Sequence, residues 1–123
     1  MKKVLVIGGS KGIGNALISK MHGSYEIINM SRTEPEEFME SIEHHTCDIL
    51  SDELPEFDHL DALIYCPGSI NLKPVNRLSE TDFKNDFEIN VLGAVRIIQK
   101  YMKVLKAGKD PSVVLFSTVA VKM

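Results

Sequence analysis

VLVIGGSKGIGNAL, residues 4–17, runs from an apolar stretch through a cluster of glycines into a helical repeat. Val4–Ile7 is continuously apolar, as expected of a strand buried on both faces. Glycines follow at 8, 9, 12 and 14, and Ile13, Leu17 and Met21, with Ala16 beside them, repeat at helical spacing. A strand, a glycine turn and a helix start make a place for an anion, because backbone N–H groups at a helix N-terminus point outward along a favourable dipole. Glycines let the backbone approach a pyrophosphate and let helix and strand pack closely. The spacing Gly8-x-x-x-Gly12-x-Gly14 is neither a P-loop, which would end in Gly-Lys-Ser/Thr, nor GxGxxG. A tight turn with no ligand is the alternative for the glycines alone. Their place directly after the first strand favours a dinucleotide.

Outward from this stretch, Tyr25–Met30 reads as a second strand and residues 34–43 as a short helix with Pro35 in its first turn. Residues 44–49 give a weak third strand, and Ala62–Cys66 a strong fourth one halted by Pro67-Gly68. Ser79-Glu80-Thr81-Asp82 resembles a capping box. A long helix is expected after it, with Phe83, Phe87, Val91, Val95, Ile98, Met102 and Leu105 on one apolar stripe. Lys103 and Lys106 suit its C-terminal dipole, and Gly108 its stop. Val113–Phe116 is the fifth strand. Strands alternating with helices predict an α/β, Rossmann-like, doubly wound parallel sheet of about five strands in one domain, residues 1–123. Its crevice should open beside the first strand, where the strand order reverses.

The glycine stretch GGSKGIG resembles the Gly-x-x-x-Gly-x-Gly fingerprint of the short-chain dehydrogenase/reductase (SDR) family, with Ile7 where the family usually has Thr. The resemblance implies a nicotinamide cofactor held by Gly8, Gly9, Ser10, Lys11, Gly12, Ile13 and Gly14. The second strand ends in INMSRTE, with Ser31 and Arg32 where an NAD-binding Rossmann protein carries a carboxylate. A carboxylate would repel a 2′-phosphate, whereas an arginine pairs with it bidentately. Arg32 with Lys11 therefore points to NADP(H) in preference to NAD(H), solvated surface charges being the alternative. By the resemblance Asp48 and Ile49 take the family's adenine-binding place, a loop or cap carboxylate being the alternative for Asp48. Tyr65-Cys66-Pro67-Gly68 stands where the family has Asn-Asn-Ala-Gly, and only Gly68 matches; the resemblance still implies that Cys66, Pro67 and Gly68 pass under the adenine ribose and flank the nicotinamide. Cys66 reads as small apolar filler rather than a reactive thiol. Asn90 in DFEINVLG matches the family's helix asparagine, which supports a proton relay, a chance surface residue being the alternative. Thr118 takes the place of the family's catalytic serine, preceded by Ser117, a Ser-Thr turn closing the strand being the alternative.

The family's Tyr-x-x-x-Lys acid is missing: Tyr25, Tyr65 and Tyr101 each lack a lysine four residues on, and the chain ends at Met123. The expectation is an N-terminal, truncated part of a reductase of small carbonyls or alcohols that binds cofactor without turnover. A non-catalytic dinucleotide-binding module, or a degenerate gene product, is the alternative. An exposed strand-five edge or helix face predicts self-association. The net charge of −3 argues against nucleic acid as a partner. The apolar run at the N-terminus is too short for a signal peptide or membrane span, which makes the cytoplasm the default compartment. Cys47 and Cys66 give no disulfide framework, and the histidines show no metal-ligand spacing.

Overall fold

A computed structural model describes residues 1–68 and 72–117. Five strands, β1 (Lys3–Ile7), β2 (Glu26–Ser31), β3 (Glu43–Thr46), β4 (Ala62–Tyr65) and β5 (Ser112–Leu115), form one sheet in the order β3-β2-β1-β4-β5. Every neighbouring pair is parallel. The chain steps outward from β1 to β3, then crosses back to place β4 on the other side of β1. That reversal is the switch point at which open α/β sheets form their crevice.

The alternation within β1 explains its unbroken apolar sequence. Leu5 and Ile7 join the core on one face of the sheet with Ile28, Met30, Leu63 and Tyr65, under α3 (Gly93–Lys106). Val4 and Val6 join the opposite core with Ile27, Ile64 and Ile18 of α1 (Gly12–Met21). Asp61 accepts hydrogen bonds from the N–H groups of Lys3 at 2.8 Å and Lys109 at 2.9 Å, which ties the entry of β4 to its neighbours and holds the carboxyl below its usual range. Among the described residues no helix is long and apolar enough to cross a membrane.

Three local expectations need correction. Residues 34–43 do not form a helix: they bend, and only Met39–Ser41 makes a 3₁₀ turn. Phe38 takes a left-handed φ of 67°, stacks on His22 at 4.5 Å and packs against the α1-side core. That tertiary contact outweighs the helical preference of the surrounding glutamates. In α1 it is Ile18, fully buried, and not the exposed Ile13 or Ala16, that anchors the helix, with Leu17 and Met21 at the core margin.

The long helix is also not one continuous α-helix. The capping box forms as expected, with Ser79 and Asp82 bonded reciprocally at the head of α2 (Glu80–Phe87). A π-helical turn over Glu88–Leu92 then separates α2 from α3. The turn breaks the 3.6-residue period on which the apolar stripe was drawn. Gly93, Ala94, Ile97, Tyr101 and Leu105 are buried, whereas Phe83, Phe87, Val91, Val95 and Met102 are exposed. Of the expected stripe, only Ile98 and Leu105 pack on the sheet.

The two isoleucines of α1 should therefore behave differently on truncation. Ile18→Ala is expected to lower unfolding free energy by about 2–5 kcal/mol, the range for a buried isoleucine. Ile13→Ala should stay within about 0.5 kcal/mol. Urea denaturation followed by circular dichroism measures both.

Candidate functional site

A crevice of about 610 Å³ opens at the C-terminal ends of the central strands. The turn after β1 contributes Gly8, Ser10 and Lys11, the end of β2 contributes Ser31, Arg32 and Thr33, and the segment after β3 contributes Asp48, Ile49 and Leu50. Pro67 and Gly68 follow β4, and Asn85 and Ile89 reach in from the helix. The fold thus gathers residues that the sequence singled out from four separate places.

Gly9, Gly12, Ile13, Gly14 and Cys66 do not line the crevice. The glycines shape the turn and the first turn of α1. Gly8 has a φ of +79°, a conformation that favours glycine, and its N–H donates to the Met30 carbonyl at 2.8 Å. A Cβ on Gly14 would lie 2.3 Å from the Gly8 oxygen, so only glycine lets the helix rest on the loop backbone. The N-cap residue Lys11 supplies no side-chain acceptor to the first-turn N–H groups, and that turn holds no acidic residue. A loop and helix head with these features fit an anionic phosphate group.

Arg32 is exposed at the mouth, and no carboxylate from the end of β2 lines the crevice. The Ser31 hydroxyl is committed internally: it donates to the Thr33 carbonyl at 2.6 Å and accepts from Asn29. Thr33, not anticipated from the sequence, bonds Ser10 at 3.2 Å and so bridges β2 to the glycine loop. Asp48 closes its own turn by accepting from the Leu50 N–H at 3.0 Å, while it also borders the crevice. Arg96 of α3 pins this turn through the carbonyls of Ile49 and Asp52. Its hydropathy gave no signal, because an arginine on a helix reads as a surface charge. Cys66 is half-buried against the α1-side core, and burial pushes its thiol up to about 11, which leaves it inert at neutral pH. Ser117 follows β5 and is exposed, while Thr118 lies outside the described residues.

Asn90 lies within the π-turn, and a Cβ on Gly68 would come within 3.3 Å of its Oδ1. The asparagine therefore rests against the loop after β4. Tyr65 accounts for how the turn is held. Its buried hydroxyl donates to the carbonyl of Ile89, next to Asn90, and burial pushes the phenol up to about 12. Gly93 makes room for it: a Cβ there would lie 2.3 Å from the Tyr65 hydroxyl oxygen. Tyr65→Phe should cost about 1–3 kcal/mol by leaving that carbonyl unpaired, and Gly93→Ala a similar amount through the clash. In the double variant the clash disappears and alanine regains about 1 kcal/mol of helix propensity. The two costs should then sum to less than their separate values in a double-mutant cycle measured by denaturation.

Comparison with known proteins agrees with this architecture. Two tropinone reductase homologues of Arabidopsis thaliana are 27% and 29% identical, each over 94% of this chain, but over only 52% and 44% of their own lengths. The chain thus spans about half the length of the curated relatives it matches. Among solved structures, ElxO with NADP bound superposes with a TM-score of 0.83 at 22% identity, covering 99% of this chain and 57% of that one. A short chain dehydrogenase of Leptospira borgpetersenii with bound NAD+ gives 0.81 at 20% identity, over 96% of this chain and 52% of that one. At such identities the structural likeness speaks for the fold. The short chain dehydrogenase family model, however, matches residues 2–123 of the sequence, and the chain belongs to that family.

Proposed function

We propose that residues 1–123 form the cofactor-binding domain of an NADP(H)-dependent oxidoreductase acting on a small carbonyl or alcohol. The observation that carries the cofactor choice is the mouth of the crevice, where Arg32 stands beside Lys11, Ser10 and Thr33 with no β2-end carboxylate to repel a 2′-phosphate. A nicotinamide dinucleotide, when bound, supplies the hydride. The protein's own residues do the rest. Gly8–Gly14 and the head of α1 hold the pyrophosphate, with Gly9, Gly12, Ile13 and Gly14 setting the backbone. Arg32 and Lys11 neutralise the 2′-phosphate, and Ser31 keeps the β2 end in shape. Asp48 and Ile49 border the adenine. Pro67 and Gly68 flank the ribose, with Cys66 behind them as apolar support. Ser117 and Thr118 are assigned to carbonyl polarisation and Asn90 to the proton relay, by family resemblance. Since residues 1–123 contain no Tyr-x-x-x-Lys proton donor, this polypeptide alone should bind cofactor without turnover.

Fluorescence titration tests the assignment. NADPH should bind the wild-type chain more tightly than NADH. Arg32→Ala should weaken NADPH about tenfold and leave NADH within about twofold, as expected for loss of one charged phosphate contact. Equal affinity of the wild type for both cofactors would remove the 2′-phosphate role.

Self-association is the second part of the reading. Phe83, Phe87, Val91, Val95 and Met102 expose apolar surface along the helix, and Val113, Val114, Leu115 and Phe116 do so at β5. Light scattering at high concentration should show dimers or larger species. Phe87→Glu disrupts them if the helix face carries the contact, and Val114→Lys does so if the β5 edge carries it. A monomer at all concentrations would oppose both routes.

A further inference from the structure

Beneath the glycine loop, a chain of hydrogen bonds leads away from the crevice to the edge strand β3. The side chain of Asn29 is fully buried in β2, and its Oδ1 accepts from the Gly9 N–H at 2.9 Å. Packing there is close, since a Cβ on Gly9 would lie 2.3 Å from that oxygen. The bond fixes which way the amide points, because an amide nitrogen cannot accept a hydrogen bond. Asn29 Nδ2 then faces two groups: Ser31 Oγ at 2.9 Å and His44 Nδ1 at 3.0 Å. Ser31 spends its own proton on the Thr33 carbonyl and so receives one Nδ2 hydrogen. The other Nδ2 hydrogen goes to His44, whose Nδ1 must therefore carry none. The ring proton sits on Nε2, bonded to Thr46 Oγ1 at 3.0 Å. Every donor in the chain is matched only while His44 is neutral.

The geometry points to Asn29 and His44 as positioning residues of the glycine loop: neutral His44 holds the Asn29 amide in the orientation that anchors Gly9, and protonated His44 releases it. A proton on Nδ1 would face the Nδ2 hydrogens. The charged ring gains most if the amide turns over and offers it Oδ1, since hydrogen bonds from charged donors are the stronger kind. Turning over sets Nδ2 against the Gly9 N–H, and the loop loses its buried acceptor. The groups around the ring do not override this. Asn29 and Thr46 are neutral, Glu34 favours the charged ring, and His45 opposes it. Burial is the largest influence, and together these hold His44 below its ordinary value. The sign follows: the anchored loop is fully populated above the ordinary histidine range of about 6.5 and is lost as pH falls through the lowered value in the fold.

Dinucleotide affinity should follow the loop, a consequence that rests on the cofactor reading above. The test therefore has two readouts. In the first, NMR of the ligand-free chain between pH 8 and pH 5 should show the Gly9 amide shifting with the same midpoint as the His44 imidazole. His44→Gln should flatten the Gly9 curve. Asn29→Asp retains an acceptor for Gly9, pairs with a protonated ring, and should move the His44 midpoint upward. In the second, NADPH affinity measured by fluorescence at pH 8 and pH 5.5 should fall about tenfold more for wild type than for His44→Gln, as expected for one lost buried hydrogen bond. The comparison cancels titration of the cofactor itself. A Gly9 amide that stays still while His44 titrates overturns the proposal, as does an equal loss of affinity in both proteins. If no dinucleotide binds at any pH while Gly9 still tracks His44, the positioning role stands and the cofactor reading fails.

Discussion

A single Cβ at position 14 would lie 2.3 Å from the Gly8 carbonyl and 2.8 Å from the Gly9 Cα. The contact between the first turn of α1 and the loop backbone is therefore the constraint on which the site depends. It brings the N–H groups at the head of α1 onto the end of β1 and lets Ile18 reach the core beneath. The reversal of strand order beside β1 opens the crevice at the same place. Gly14 thus joins packing to the crevice: the close approach that seats the helix also shapes the loop whose Gly8, Ser10 and Lys11 line it.

The far wall is built on a different principle. The π-turn at Glu88–Leu92 carries Asn90 toward Gly68, and its geometry is sustained by Tyr65 donating to the Ile89 carbonyl over Gly93. In the family's usual pattern, asparagines occupy the end of this strand. Here the Tyr65 phenol reaches the Ile89 carbonyl, and Gly93 yields the space. Where Asn-Asn-Ala-Gly is replaced by Tyr65-Cys66-Pro67-Gly68, the bracing is carried by another donor and Cys66 becomes packing. The same turn shifts the apolar residues of the helix, which leaves Phe83 and Phe87 on the outside while Ile97 and Tyr101 enter the core.

Much of the fold was legible in the order of residues. The apolar run of β1, the glycines after it, the capping box at Ser79 and the stop at Pro67-Gly68 are local signals, each with a local physical cause. The five parallel strands and the crevice beside β1 followed from the alternation of strands and helices with right-handed connections. The segment at 34–43 was not legible, because Phe38 leaves the helical basin for a contact with His22 that is distant in sequence. The π-turn was hidden for a related reason. Periodicity assumes a constant 3.6-residue step, and no residue type marks the place where one residue is inserted.

The amino-acid sequence by itself determined the parallel α/β architecture and the glycine loop, since these rest on steric and hydrogen-bonding rules between near neighbours, and it carried the motifs by which the family is known. Only the tertiary structure decided which face of the long helix is buried, that Thr33 and Arg96 support the crevice, and that Asn29 links Gly9 to His44. Those links join residues far apart along the chain across parallel strands and packed layers. A buried amide has four hydrogen-bonding capacities to satisfy, and only the folded neighbourhood says which groups satisfy them.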